Sequence, residues 1–143
     1  MEEWQQLMRQ GNQEYDLQKW HEALGYYHHA IALLEQSVAT ESHDSQQVIQ
    51  GWICGYHNVA STYEQQGLIE HSRDTLITPF SIMLALSYHP QTTSNMKLIA
   101  DHALNITLPP LLEFANKHPS EHSFINNIVD KLNSCDQLSH SQH

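Results

Sequence analysis

The stretch Val48–Gly67, VIQGWICGYHNVASTYEQQG, contains the clearest periodic pattern in the chain. Its large apolar residues recur every three or four positions, which is the spacing that places side chains on one face of a helix. The pattern predicts a helix that begins near Ser45, where Asp44 or Ser45 would cap it, and that ends at Gly67.

The same spacing continues on both sides of this stretch, and no segment alternates with the period of two that a strand requires. We therefore expect an all-α protein of about seven helices. Polar residues at Thr40–Ser45 should separate the second helix from the third, and Pro79 should kink or split the fourth. Pro109-Pro110 should begin a new helix. The expected helices are 4–15, 20–38, 45–66, 68–88, 94–105, 109–116 and a final helix from about 122.

The charge balance limits the classes of partner. Sixteen acidic residues face six basic ones, so the formal charge is -10, which argues against binding to nucleic acid or to an anionic membrane surface. The two cysteines and the acidic, polar start predict a cytoplasmic protein without a signal peptide. We expect one domain over 1–137 and a disordered polar tail over 138–143, with homodimer formation as a further possibility.

Small residues recur where two helices of a hairpin would cross. Gly11 is followed twelve positions later by Ala23, and Ala60 is followed twelve positions later by Ser72. Bulky residues occupy the positions between these crossings, as tight antiparallel packing of two helices requires.

These residues resemble the tetratricopeptide repeat (TPR) family. The resemblance covers about Leu7–Ile31 and Tyr56–Leu76, and the matching positions Gly11 and Ala60 lie 49 residues apart, which implies long helices around 40–45. It implies helical hairpins stacked as a short right-handed array, with the final helix as a cap.

The resemblance also implies a function. The first helices of successive TPR hairpins line a concave groove that binds a peptide or a helix. We therefore expect a protein- or peptide-binding adaptor, with a secretion-type TPR chaperone as an alternative and a partner of basic or polar character favoured. No catalytic motif and no cofactor is predicted. The groove positions carried over from the family are Gln5, Met8, Asn12, Asp16, His57, Asn58, Ser61 and Gln65.

Twelve histidines leave a different class of function open, namely a metal-binding protein, a metalloenzyme or a pH-responsive protein. The possible ligand groups are the pair Cys54 and His57, the set His21, His28 and His29, and the H-x-x-E-H pattern of 118–122. We favour no metal site, because a helix junction at Pro119-Ser120 should turn His118 away from His122.

Overall fold

A computed structural model describes residues 1–39 and 45–141, and helices are the only regular secondary structure within those ranges. It contains six α-helices and one short 3₁₀ helix, so the prediction of an all-α protein built from packed helix pairs is confirmed. The helices are α1 (Glu3–Asp16), α2 (Trp20–Ala39), α3 (Ser45–Gln65), α4 (Ile69–Tyr88), α5 (Ser94–Lys117), the 3₁₀ helix (Pro119–Glu121) and α6 (His122–Ser141).

The chain divides into two compact units, 1–79 and 80–143, and the division falls inside α4 at Pro79. Although proline lacks an N–H and clashes with the preceding turn, α4 continues through Pro79, so the helix is not split. Nearby hydroxyls donate to carbonyls of the same helix, Thr75 to His71 and Thr78 to Asp74.

Short turns join the helices of the first unit. A reciprocal pair of hydrogen bonds between Glu2 and Gln5 caps α1, and Gln18 adopts a left-handed conformation (φ 61°) between α1 and α2. Gly67 (φ 79°) ends α3 as predicted, because this conformation costs glycine nothing. The lengthening of the helices around 40–44 is also confirmed, since α2 and α3 contain 20 and 21 residues. Asp44, one of the two predicted caps, lies outside the described residues.

In both hairpins the helices cross at the small residues that the sequence predicted. Gly11, Ala23, Ala60 and Ser72 are all buried. A methyl group at Gly11 would lie 2.5 Å from Cε1 of Tyr27, so α1 and α2 approach each other too closely for any side chain there. In the second hairpin the Ser72 hydroxyl donates to the Ala60 carbonyl at 2.8 Å.

The prediction of separate fifth and sixth helices is wrong, because α5 runs unbroken from Ser94 to Lys117 through Pro109 and Pro110. Two backbone N–H groups are missing there, which leaves the carbonyls of Asn105 and Ile106 without their helical donors. Pro109 and Asn105 are exposed, while Pro110 and Ile106 are half-buried, so water can reach this side of the helix. The sequence therefore predicted seven α-helices where the described residues form six.

The second unit, 80–143, has its own apolar core, which includes Phe80, Met83, Leu111, Phe114 and Ile125. The part of the predicted tail at 138–141 belongs to α6 and the last two residues lie outside the described residues. No helix of the described residues combines the length and the hydropathy needed to cross a membrane.

Candidate functional site

Helices α1 and α3 lie side by side and run in the same direction. Three contacts fix their register: the Trp4 ring at Gly51, Met8 at Gly55, and a hydrogen bond of 2.8 Å between the hydroxyls of Tyr15 and Ser61. Each contact joins residues that are 46 or 47 positions apart. The same offset brings Asn12 of α1 level with Asn58 of α3.

Glycines on α3 make this close approach possible. A methyl group at Gly51 would lie 2.8 Å from Trp4, and one at Gly55 would lie 2.7 Å from Ile31 of α2. Helix α3 therefore packs directly against α1 and α2, while Gln50, Cys54 and Gln65 on another part of its surface are exposed.

The eight predicted groove residues are not equally accessible. The structure leaves three of them exposed, four half-buried and one buried. The exposed residues are Asn12, Asp16 and Gln65, the half-buried ones are Gln5, His57, Asn58 and Ser61, and the buried one is Met8.

Two of the predicted residues have a structural role that sequence reasoning missed. Met8 is only 7% exposed, and its sulfur lies against Gly55 of α3. This burial differs from the accessible position that the TPR resemblance implied. The Gln5 side chain accepts a hydrogen bond from the Glu2 N–H at 2.9 Å and so completes the cap of α1. The accessible surface therefore lies at the C-terminal halves of α1 and α3.

A buried tyrosine holds Asn12 in place. The Tyr27 hydroxyl donates to Oδ1 of Asn12 at 2.6 Å. Burial, together with the nearby Tyr15, Asp16 and Cys54, raises the pKa of Tyr27 to about 12. The phenol consequently stays protonated as a donor at neutral pH and orients the Asn12 amide.

The α3 side of the surface carries two groups with shifted pKa values. Although Cys54 is exposed, neighbouring protein atoms partly desolvate its thiol and raise its pKa, while the Asn58 amide donates a long hydrogen bond (3.9 Å) to the sulfur. The thiol is therefore a poor nucleophile at neutral pH. Burial also lowers the pKa of His57, whose Nε2 atom is fully enclosed and has no hydrogen-bond partner among the described residues.

Tyr15 and Tyr27 are the supporting residues that the sequence analysis passed over. Their hydroxyls orient Ser61 and Asn12 respectively. A tyrosine whose position in the helical pattern predicts burial also predicts a polar neighbour, because a buried phenol normally requires a hydrogen-bond partner. Searching for that partner among neighbouring polar positions could have found both pairs.

The possible metal ligands do not come together in the part of the chain that the structure describes. No three of its histidine, cysteine, aspartate or glutamate residues are grouped closely enough to hold an ion. The predicted junction between His118 and His122 is confirmed, since the 3₁₀ helix Pro119–Glu121 separates α5 from α6. The His118 ring packs on Phe114 at 4.5 Å between centroids, and Nδ1 of His122 is 2.9 Å from the Asn126 amide.

Two cavities lie away from the predicted surface. One, of about 510 Å³, lies between the C-terminal half of α4 and the N-terminal half of α6 and includes Leu84, Tyr88 and Lys131 in its lining. The other, of about 330 Å³, is lined by residues that include Trp4 and Leu33. Neither contains any of the eight predicted groove residues.

Of the comparisons with known proteins, only the one with protein-family models gives a match. No curated protein and no solved structure has significant similarity to this chain. Residues 2–143, however, match the model of a protein family described as "Protein of unknown function (DUF2753)". Because the match extends over almost the whole sequence, the chain belongs to the DUF2753 family.

Proposed function

We propose that this protein is a cytoplasmic adaptor that binds a protein or peptide on the accessible face of α1 and α3. The residues of this face are Asn12, Asp16, Asn58, Ser61 and Gln65. The observation that carries the proposal is the parallel register of α1 and α3, which brings Asn12 level with Asn58.

The arrangement of the first three helices supports this function. Helix α2 packs behind α1 through Gly11 and Tyr27, and α3 follows parallel to α1. Successive hairpins of a TPR-like array have this order, and they present their first helices on one side. Amide and hydroxyl side chains on that side can both donate and accept hydrogen bonds, as recognition of a polypeptide requires.

The test has to avoid Asn12, because replacing it would remove the acceptor of the Tyr27 hydroxyl and destabilise the hairpin. Asn58 and Gln65 are better targets. The protein would be purified with its partner from its native cell, and the partner would be identified by mass spectrometry. We expect Asn58→Ala/Gln65→Ala to weaken binding of that partner with an unchanged melting temperature.

A matched control removes two exposed amides elsewhere. Gln10 projects from another side of α1, and Asn105 lies on α5. Gln10→Ala/Asn105→Ala should bind the partner as the wild type does. Equal binding by the wild type and the Asn58→Ala/Gln65→Ala variant would show that this face is not the binding surface.

A further inference from the structure

The groove between α4 and α6 in the second unit, 80–143, has two walls of different character. Its volume is about 510 Å³, and Leu84, Ala85 and Tyr88 give the α4 wall a mainly apolar surface. The α6 wall carries Asp130 and Lys131, both of which are exposed. The groove therefore combines an apolar side with one acid and one base.

Exposed apolar side chains extend this groove on both helices. Ile82 is exposed and lies about one turn before Ala85 on α4. Phe124 is exposed and lies seven residues before Lys131, so the two share one side of α6. An exposed apolar surface with charged residues at its rim is typical of a protein interface. We call the groove together with Ile82 and Phe124 the α4/α6 patch.

The two charges of the α4/α6 patch are available to a partner. Asp130 and Lys131 are consecutive residues of α6, so they project about 100° apart around the helix and do not face each other. Neither forms an ion pair with another described residue. A complementary surface must therefore offer a base to Asp130 and an acid to Lys131.

A second copy of this chain offers that combination. In a contact with two-fold symmetry, residue i of one copy meets residue j of the other, and j meets i. Asp130 of one protomer can then face Lys131 of its partner, and the second, identical pair forms at the same time.

The distribution of charge also favours self-association through the second unit. Residues 1–79 hold eleven acidic and three basic residues, whereas 80–143 hold five and three. Two copies of a chain with a net charge of -10 repel each other. A contact through 80–143 brings the smaller excess of negative charge together.

We propose that the α4/α6 patch is the interface of a symmetric homodimer, in which Asp130 of each protomer pairs with Lys131 of its partner. The apolar side chains of the patch are buried between the two copies. This inference is independent of the proposed function, because the patch contains none of the residues of the accessible face of α1 and α3.

The test measures the oligomeric state of the full chain by analytical ultracentrifugation. The protein concentration would reach about 0.5 mM, so that a dimer with a Kd near 0.1 mM is still populated. Salt at about 0.15 M screens the net repulsion beyond about 8 Å. We expect the wild type to show a monomer–dimer equilibrium. Asp130→Lys and Lys131→Asp each place like charges opposite each other, and each should raise the dimer Kd roughly 10- to 100-fold.

Mixing the two single variants separates a symmetric interface from damage to the fold. The Asp130→Lys protomer carries two adjacent bases, and the Lys131→Asp protomer carries two adjacent acids. In the two-fold contact every base then faces an acid. The mixture should therefore dimerise at least as tightly as the wild type, whereas a protomer that had lost its fold could not be restored by mixing.

Controls at exposed positions outside the patch account for changes in net charge. Asp101→Lys on α5 and Lys19→Asp before α2 make the same two changes in charge, and each should dimerise within about threefold of the wild type.

A carboxylate in the apolar wall tests the other half of the patch. Ala85→Glu should raise the dimer Kd about 10-fold or more, because the new charge would lose water in the dimer. Ala32→Glu, at an exposed alanine of α2, is the matched control and should leave the dimer Kd unchanged.

Three results would overturn the inference. They are a wild type that stays monomeric over the whole concentration range, a dimer that neither charge reversal weakens, and a mixture of the two variants that stays monomeric. A monomeric wild type whose Ala85→Glu variant no longer captures the native partner would assign the groove to that partner instead of a second copy.

Discussion

Gly11→Ala tests the packing on which the first hairpin depends. The new methyl group would lie 2.5 Å from Cε1 and 2.7 Å from Cδ1 of Tyr27. The ring has little room to move, because Tyr27 is 1% exposed and its hydroxyl donates to Asn12 at 2.6 Å. Either α1 and α2 must separate or Tyr27 must leave its position.

The size of the effect follows from three contributions. Overpacking a well-packed core costs about 1–3 kcal/mol. Weakening the hydrogen bond from Tyr27 to Asn12 costs about 0.5–1.5 kcal/mol. Against these, replacing glycine by alanine inside a helix contributes about 1 kcal/mol of stability. We expect Gly11→Ala to lower the free energy of unfolding by about 1–3 kcal/mol.

Gly25→Ala is the matched control, because Gly25 lies in the middle of α2 and a methyl group there would meet no atom within 4 Å. It should raise the free energy of unfolding by about 0.5–1 kcal/mol, through helix propensity alone. Urea unfolding followed by circular dichroism measures both variants, and similar slopes would show that the unfolded states are comparable. If Gly11→Ala stabilises the protein as much as Gly25→Ala does, the close-packed crossing is refuted.

A second variant identifies the atoms responsible. In Gly11→Ala/Tyr27→Leu the ring is gone and the methyl group has space. The double variant should therefore be more stable than the sum of the two single effects predicts, by about 1 kcal/mol or more. Strict additivity would mean that the cost of the methyl group at Gly11 does not come from Tyr27.

Three further predictions follow from other parts of the chain. Pro109→Ala should stabilise α5 by up to about 3 kcal/mol in urea unfolding, because it restores an N–H inside the helix; a loss of stability would mean that the proline ring makes a needed contact. Ser72→Ala should cost about 0.5–1.5 kcal/mol, since the hydrogen bond to the Ala60 carbonyl is lost. Because burial lowers the pKa of His57 below its ordinary 6.5, the folded state favours the neutral ring. His57 should therefore add stability above pH 6.5 that is lost as the pH falls toward its folded pKa. His57→Met should reduce the difference between urea midpoints at pH 7.5 and 5.5, and an unchanged difference would contradict this.

The first four helices could be predicted from the sequence because each signal there acts locally. Gly67 stops α3 by its own backbone conformation, and the spacing from Ala60 to Ser72 reflects one crossing of two adjacent helices. Pro109 and Pro110 misled the prediction, since the cost of proline in a helix depends on whether water reaches the freed carbonyls. The exposure of these carbonyls is set by tertiary packing and cannot be read from the Pro-Pro sequence.

The candidate surface was harder to predict for the same reason. The TPR resemblance placed Gln5 on it, yet the Gln5 side chain caps α1. Val38 and Phe124 are large apolar residues at helical spacing, which favours burial, yet they are 43% and 44% exposed. Periodicity assigns a residue to one side of its own helix, but the neighbouring helices determine how much of that side they cover.

The glycines of α3 connect the packing of the first unit to the location of its accessible face. Because Gly51 and Gly55 have no side chains, Trp4 of α1 and Ile31 of α2 can lie close against α3, and Met8 beside Gly55 is buried. The accessible residues among the predicted groove positions lie in the C-terminal halves of α1 and α3. A larger residue at Gly51 would place its Cβ 2.8 Å from the Trp4 ring and push α1 away from α3, so the polar residues of the two helices would lose their common register. The level placement of Asn12 and Asn58 on the proposed binding face thus depends on a buried glycine of α3.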